Sequence, residues 1–144
     1  MNKMKLSFYV LNMVLILILI SCTNNNNNNN IKEELTLDDV TTTLTEEGID
    51  LKEAERNPRS IFQLELNGVT PNAYAIGDNE LSIYIFENEA ERNKGMDEFK
   101  EKLGSAEIDV DKYTHEINNV TIFYLYQGED IDEKMENAIN KLSS

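Results

Sequence analysis

The stretch Tyr113–Tyr126 reads YTHEINNVTIFYLY. Two β-rich runs, Tyr113–Ile117 and Val120–Tyr126, meet at Asn118-Asn119, a dipeptide suited to a tight hairpin. In the second run Ile122, Tyr124 and Tyr126 alternate with Phe123 and Leu125, so both faces are apolar. A strand wetted on one side alternates apolar with polar residues, whereas one apolar on both sides belongs in the middle of a sheet. This run therefore predicts a central strand, and the neighbouring segments are read around it.

Beyond it a helix is predicted from Asp130, with Glu133 as capping partner and Ile131, Met135, Ala138, Ile139 and Leu142 on one face. The strand–strand–helix pattern recurs at an offset of 39 residues, pairing Tyr74 with Tyr113, Ser82 with Thr121, Ile83 with Ile122 and Met96 with Met135. In this earlier unit, Tyr74–Ile76 and Leu81–Phe86 pair across Gly77-Asp78-Asn79. Asn88 then caps a helix with Glu91 at its third position, an apolar face of Met96, Phe99 and Leu103, and Gly104 at its end. Gly95 inside that helix costs about 1 kcal/mol relative to alanine and suggests close packing on the sheet.

Upstream, Thr36 and Asp39 form a capping pair for a helix carrying Leu37, Val40 and Leu44 on one face, ended by Gly48. Ile49 and Leu51 begin a short strand, and the polar stretch Lys52–Ser60, with Pro58, breaks the pattern. Phe62, Leu64 and Leu66 alternate with Gln63 and Glu65 as a half-buried strand ending at Asn67-Gly68. The expectation is a single α+β domain over residues 36–144. It has an antiparallel sheet of about 4–6 strands with helices on one face, a ββα-ββα repeat, and a preceding N-terminal helix.

Residues 1–35 have a different character. Lys3 and Lys5 precede an apolar stretch from Leu6 to Ile20, and Ser21 then leads to Cys22, the only cysteine. A membrane-spanning helix needs about 20 apolar residues, so this shorter stretch reads as a secretory leader. Leu19-Ile20-Ser21-Cys22 resembles a bacterial lipobox. That resemblance implies cleavage before Cys22, a diacylglyceryl thioether on its sulfur and a further acyl chain on the new amine. Each buried CH₂ contributes about 0.8 kcal/mol, so two or three long chains hold a domain at a membrane stably. The expected organisation is a signal peptide over residues 1–21, a lipidated cysteine and tether over 22–35, and an extracytoplasmic domain on the outer face of the cell membrane. Asn24–Asn30 form an unbroken asparagine run, too polar to pack, and a flexible coil over Thr23–Leu35 spans about 20 Å on average. Composition and size are also similar to those of small lipoproteins of low-GC Gram-positive bacteria, a likeness that carries no function.

The whole chain has a formal charge of −14. Two of its 13 basic residues lie in the leader and none of its 27 acidic ones does, leaving −16 for residues 22–144. Such a surface repels nucleic acids and anionic lipids and attracts basic proteins, cationic peptides and divalent cations. His115, the single histidine, stands in a predicted strand, and no nucleophile elbow, phosphate loop or histidine-containing metal motif accompanies it. Asp109, Asp111, Tyr113 and His115 have the spacing of early calcium-loop ligands. Thr114 replaces the turn glycine and Val120 the closing glutamate, so no metal or cofactor is expected. Glu129, Asp130, Asp132 and Glu133 suit a helix N-terminus. Asn119-Val120-Thr121 matches a glycosylation sequon without expected meaning in a bacterial lipoprotein.

The remaining candidates are aromatic. Tyr84, Phe86, Tyr124 and Tyr126 lie on adjacent predicted strands, and an open sheet face carrying them would dock a protein, peptide or glycan. The expected role is thus a non-enzymatic, lipid-anchored interaction module. The alternative is a protective or immunity-type binder of cations or cationic peptides. Replacing Cys22→Ala should abolish incorporation of an alkynyl fatty acid and move the protein out of the membrane fraction. Unchanged labelling in the variant would refute lipidation at this residue.

Overall fold

A computed structural model describes residues 34–104, 109–127 and 131–144, all within one compact unit, residues 32–144. The leader, Cys22 and the asparagine run lie outside the described residues. The elements in order are α1 (Leu37–Glu46), β1 (Lys52–Glu53), a 3-10 turn (Ile61–Gln63), β2 (Asn72–Ile76), β3 (Asn79–Ile85) and α2 (Glu89–Leu103). A second 3-10 turn (Asp111–Tyr113), β4 (Thr114–Ile117), β5 (Val120–Leu125) and α3 (Glu133–Leu142) follow. The class is α+β, with a five-stranded antiparallel sheet in the order β1-β2-β3-β5-β4.

Strand β5 is buried from Val120 to Tyr124 and lies between β3 and β4. Its Val120, Ile122 and Tyr124 join Leu81 and Ile83 of β3 beneath α1 and α3, which contribute Val40, Leu44, Met135, Ala138 and Leu142. Its Phe123 points the other way, into a second cluster with Tyr84, Phe86, Phe62, Leu66 and, from α2, Met96 and Phe99. The helices therefore cover both faces, which corrects the expectation of helices on one face. A strand with five consecutive buried residues, alternating in direction, has to be covered on both sides.

The same geometry limits the repeat. Ile83 and Ile122 stand directly opposite each other in the β3–β5 register, as a two-fold relation at the 39-residue offset requires. The relation stops there. The first hairpin turns at Gly77-Asp78, between Ile76 and Asn79, and the second at Asn118-Asn119, two residues beyond the equivalent position. Tyr74 is in a strand while Tyr113 is in a 3-10 turn, and α2 and α3 lie on opposite faces. A structural ββα-ββα repeat is not established.

Local chemistry explains the ends of the elements. Thr36 Oγ1 accepts from the Asp39 backbone N–H at 3.2 Å while Asp39 Oδ2 accepts from the Thr36 N–H at 2.8 Å, a reciprocal capping box. The Thr36 hydroxyl, donating to Asp39 Oδ2 at 2.6 Å, and then the Thr36 N–H hold the Asp39 carboxyl below its ordinary pKa. At the far end of α1, the Gly48 N–H donates to the Thr45 carbonyl and the Ile49 N–H to that of Leu44, with Gly48 at φ +78°, a Schellman termination. Helix α3 begins at Glu133 with Asp132 as its cap, later than the Asp130 expected from sequence; Asp130 lies outside the described residues.

Residues 62–66 are not a strand. Ile61–Gln63 form a 3-10 turn, and Leu66 makes an isolated bridge to Val69 around Asn67 and Gly68, both at positive φ. Gln63, read as solvent-facing, is buried, and its side chain accepts from the Asn57 N–H. The Leu64 carbonyl is taken by the Tyr84 hydroxyl at 2.6 Å, with the Phe62 carbonyl at 3.2 Å, so these acceptors serve a side chain instead of a strand partner. One edge strand is Lys52–Glu53, paired with Tyr74 and Ala75, inside the stretch read as a polar break; β4 is the other.

Large and small residues alternate across β3 and β5. Ser82 faces Phe123 and Thr121 faces Tyr84, so the two rings meet diagonally at 5.6 Å and 90°. Phe99 lies 4.8 Å and Phe62 5.3 Å from the Phe123 ring. Gly95 allows this cluster to close, because a Cβ there would lie 2.6 Å from Phe86 Cε1. Gly95→Ala should gain about 1 kcal/mol of helix propensity but cost about 1–3 kcal/mol in displaced ring packing, for a net loss. A lowered urea midpoint at unchanged slope is expected. An unchanged or raised midpoint would show that the Phe86 ring moves aside freely.

Candidate functional site

The structure buries most of the expected docking face. Tyr84 is fully buried, Phe86 is 2% exposed and Tyr124 3% exposed, while Tyr126 is half-buried. The open aromatic sheet face is therefore corrected, because α1 and α3 cover one side and α2 with the 61–66 segment covers the other. Burial pushes the Tyr84 hydroxyl well above its ordinary pKa, and with its carbonyl partners the side chain is structural. Cys22 lies outside the described residues.

An aromatic group persists at one end of the sheet. Tyr126, just past β5, stacks on Tyr124 with centroids 5.3 Å apart and meets Tyr113 edge-on at 5.6 Å. Tyr113 in turn touches Phe62, tying this end to the core beneath α2. The Lys112 ammonium lies 5.1 Å from the Tyr126 centroid and 5.5 Å from that of Tyr113. Asp78 of the β2–β3 turn, Glu80 of β3, Leu125 and Gln127 complete, with the two tyrosines, an open hollow of about 320 Å³. Asp78 and Glu80 are exposed.

Of the expected site residues, only Tyr126 lines this hollow, with Tyr124 behind it. Tyr113 was overlooked as a partner, although the signal was available. Extending the β4–β5 register one step past Thr114 opposite Phe123 sets residue 113 opposite Tyr124 and diagonal to Tyr126. The contributions of Asp78 and Glu80 depend on β3 lying beside β5, which the sequence does not state.

A second hollow, of about 180 Å³, lies between the α1–β1 connection and the start of α3 and includes Asp50, Asn79, Tyr124, Asp132 and Lys134. The Tyr124 hydroxyl accepts from Asn79 Nδ2 at 3.1 Å, and Lys134 Nζ donates to the Gly48 carbonyl at 3.1 Å. Burial raises the Tyr124 pKa, against the lowering effect of the Asn79 bond. Asp132 is occupied as the α3 cap, accepting from the Lys134 N–H at 2.8 Å.

The residues with calcium-like spacing do not form a site. Asp111 opens a 3-10 turn, and His115 pairs with Ile122 in β4. Among the described residues no group of three or more His, Cys, Asp or Glu side chains converges to hold a metal. The sequon asparagine has another use. Asn119 is buried, and its Oδ1 accepts from the Leu35 N–H at 2.7 Å. Its Nδ2 donates to the carbonyls of Leu35 at 3.0 Å and Phe86 at 2.9 Å. With its amide committed in this way, Asn119 fastens the chain where it enters the domain.

Comparison with protein families, with characterised proteins and with solved structures finds no match to this chain. The geometry alone therefore carries the functional argument.

His115 gives a measurable check on this arrangement. Burial lowers its pKa from the ordinary value of 6.5. A histidine that binds protons less readily folded than unfolded contributes stability above its unfolded pKa, and that contribution is lost as pH falls below about 6.5 towards the folded pKa. As the chain's only histidine, its imidazole resonances assign themselves in a tag-free sample. An NMR titration should give a midpoint below 6.5; a midpoint at or above it would contradict the half-buried placement.

Proposed function

We propose that the protein is a lipid-anchored extracytoplasmic interaction module that engages a protein or peptide partner without catalysing a reaction. The observation carrying this reading is the half-exposed tyrosine pair Tyr113 and Tyr126, held beside Asp78 and Glu80 at the end of a sheet otherwise covered on both faces. Tyrosines offer apolar area at low entropic cost together with a polar tip, as recognition surfaces require. The lipobox resemblance supplies the anchor at Cys22, and the acidic balance disfavours nucleic acid.

The second reading, a binder of small cations or cationic peptides in a protective or immunity-type role, is favoured by the net charge of −16 over residues 22–144. It differs by its salt dependence. Attraction to a diffuse acidic surface weakens steeply between low and physiological ionic strength, whereas a packed interface is much less sensitive.

In-cell photocrosslinking tests the first reading. A benzoylphenylalanine replacing Gln127 should yield one dominant adduct, absent when the probe replaces Asp97 on α2 and reduced by Cys22→Ala. Absence of any Gln127 adduct while the protein stays at the membrane would reject the interaction role at this end of the sheet.

A further inference from the structure

We infer that the Tyr113–Tyr126 hollow seats a lysine or arginine side chain from a basic segment of the partner. The inference rests on the reading of the chain as an anchored interaction module and goes further by naming the surface and the chemistry of what fills it.

Two observations converge on it. The two tyrosine rings already receive one cation, Lys112, at 5.1 Å and 5.5 Å, within the roughly 6 Å over which a ring quadrupole attracts an ammonium. Lys112 is not among the residues that line the hollow itself. Secondly, Asp78 and Glu80 line the hollow and, like most acidic side chains among the described residues, take part in no ion pair there. Two unneutralised carboxylates beside the half-exposed tyrosines complement a basic side chain, with Leu125 available to its aliphatic stem. A volume of about 320 Å³ admits side chains of a short segment, not a helix laid in a groove.

The test uses the full-length protein in detergent and two fluorescein-labelled peptides, one with four lysines spaced by glycines and one with glutamates in their place. Fluorescence anisotropy should show binding of the lysine peptide alone. Tyr126→Ala should weaken it about tenfold. The exposed pair Asp78→Asn with Glu80→Gln should weaken it comparably without disturbing the fold, and Asp97→Asn with Glu101→Gln on α2 should change it less than twofold. Equal losses from the two acidic pairs would mean diffuse charge attraction and overturn the inference, as would undiminished binding in the Asp78/Glu80 variant. If no lysine peptide binds yet the Gln127 adduct forms in cells, the basic-segment assignment falls and the interaction role stands. If neither is seen, both fall.

Discussion

The fold depends on burial of β5 on both of its faces. Val120 to Tyr124 are all removed from water, and their side chains alternate in direction. No arrangement with helices on a single side could do this, so α1 and α3 close one face and α2 the other. Full burial of a Val, Ile or Phe side chain contributes about 1.5–3 kcal/mol, which makes this short strand a major source of the domain's cohesion. The small residues Ser82 and Thr121 then become necessary, since each faces a large ring across the β3–β5 pair.

Polar chemistry is concentrated at the corner where β5 begins. Asn119 joins Leu35 to Phe86 through its carboxamide, and the buried Arg92 guanidinium donates to the Asn118 carbonyl at 2.6 Å beside Glu116 at 3.3 Å. Asn118 adopts a positive φ, a conformation that asparagine tolerates better than most residues. The second hairpin, the start of α2 and the entry of the chain are thereby fixed relative to one another. Groups buried here are expensive to leave unpaired, so the corner favours one arrangement over near alternatives.

Covering both faces also relocates any interaction surface. Tyr84, Phe86 and Tyr124, which an open sheet would have presented, serve the core instead. The aromatic rings that stay partly exposed lie at one end of the sheet, where Tyr126 and Tyr113 extend beyond the last ladder pairs and meet the first hairpin's acidic turn. Continuity between this end of the sheet and the core, through Tyr124 on one side and Phe62 on the other, holds the two rings in place.

Patterns local in the chain determined a good deal. The two hairpins, the caps at Thr36 and Asn88, the terminations at Gly48 and Gly104, and the central position of β5 follow from residue spacing and backbone preference within a few positions. Only the tertiary structure decided which face each helix covers, since an amphipathic stripe says that a helix must be buried and not against which side of a sheet. It also decided that Phe62 to Leu66 would turn instead of extending, because the competing partner, the Tyr84 hydroxyl, lies some twenty residues away. The hollow depends on the same kind of distant information. Asp78 and Glu80 reach Tyr113 and Tyr126 only because β3 pairs with β5, and residues so far apart in sequence are joined by packing alone.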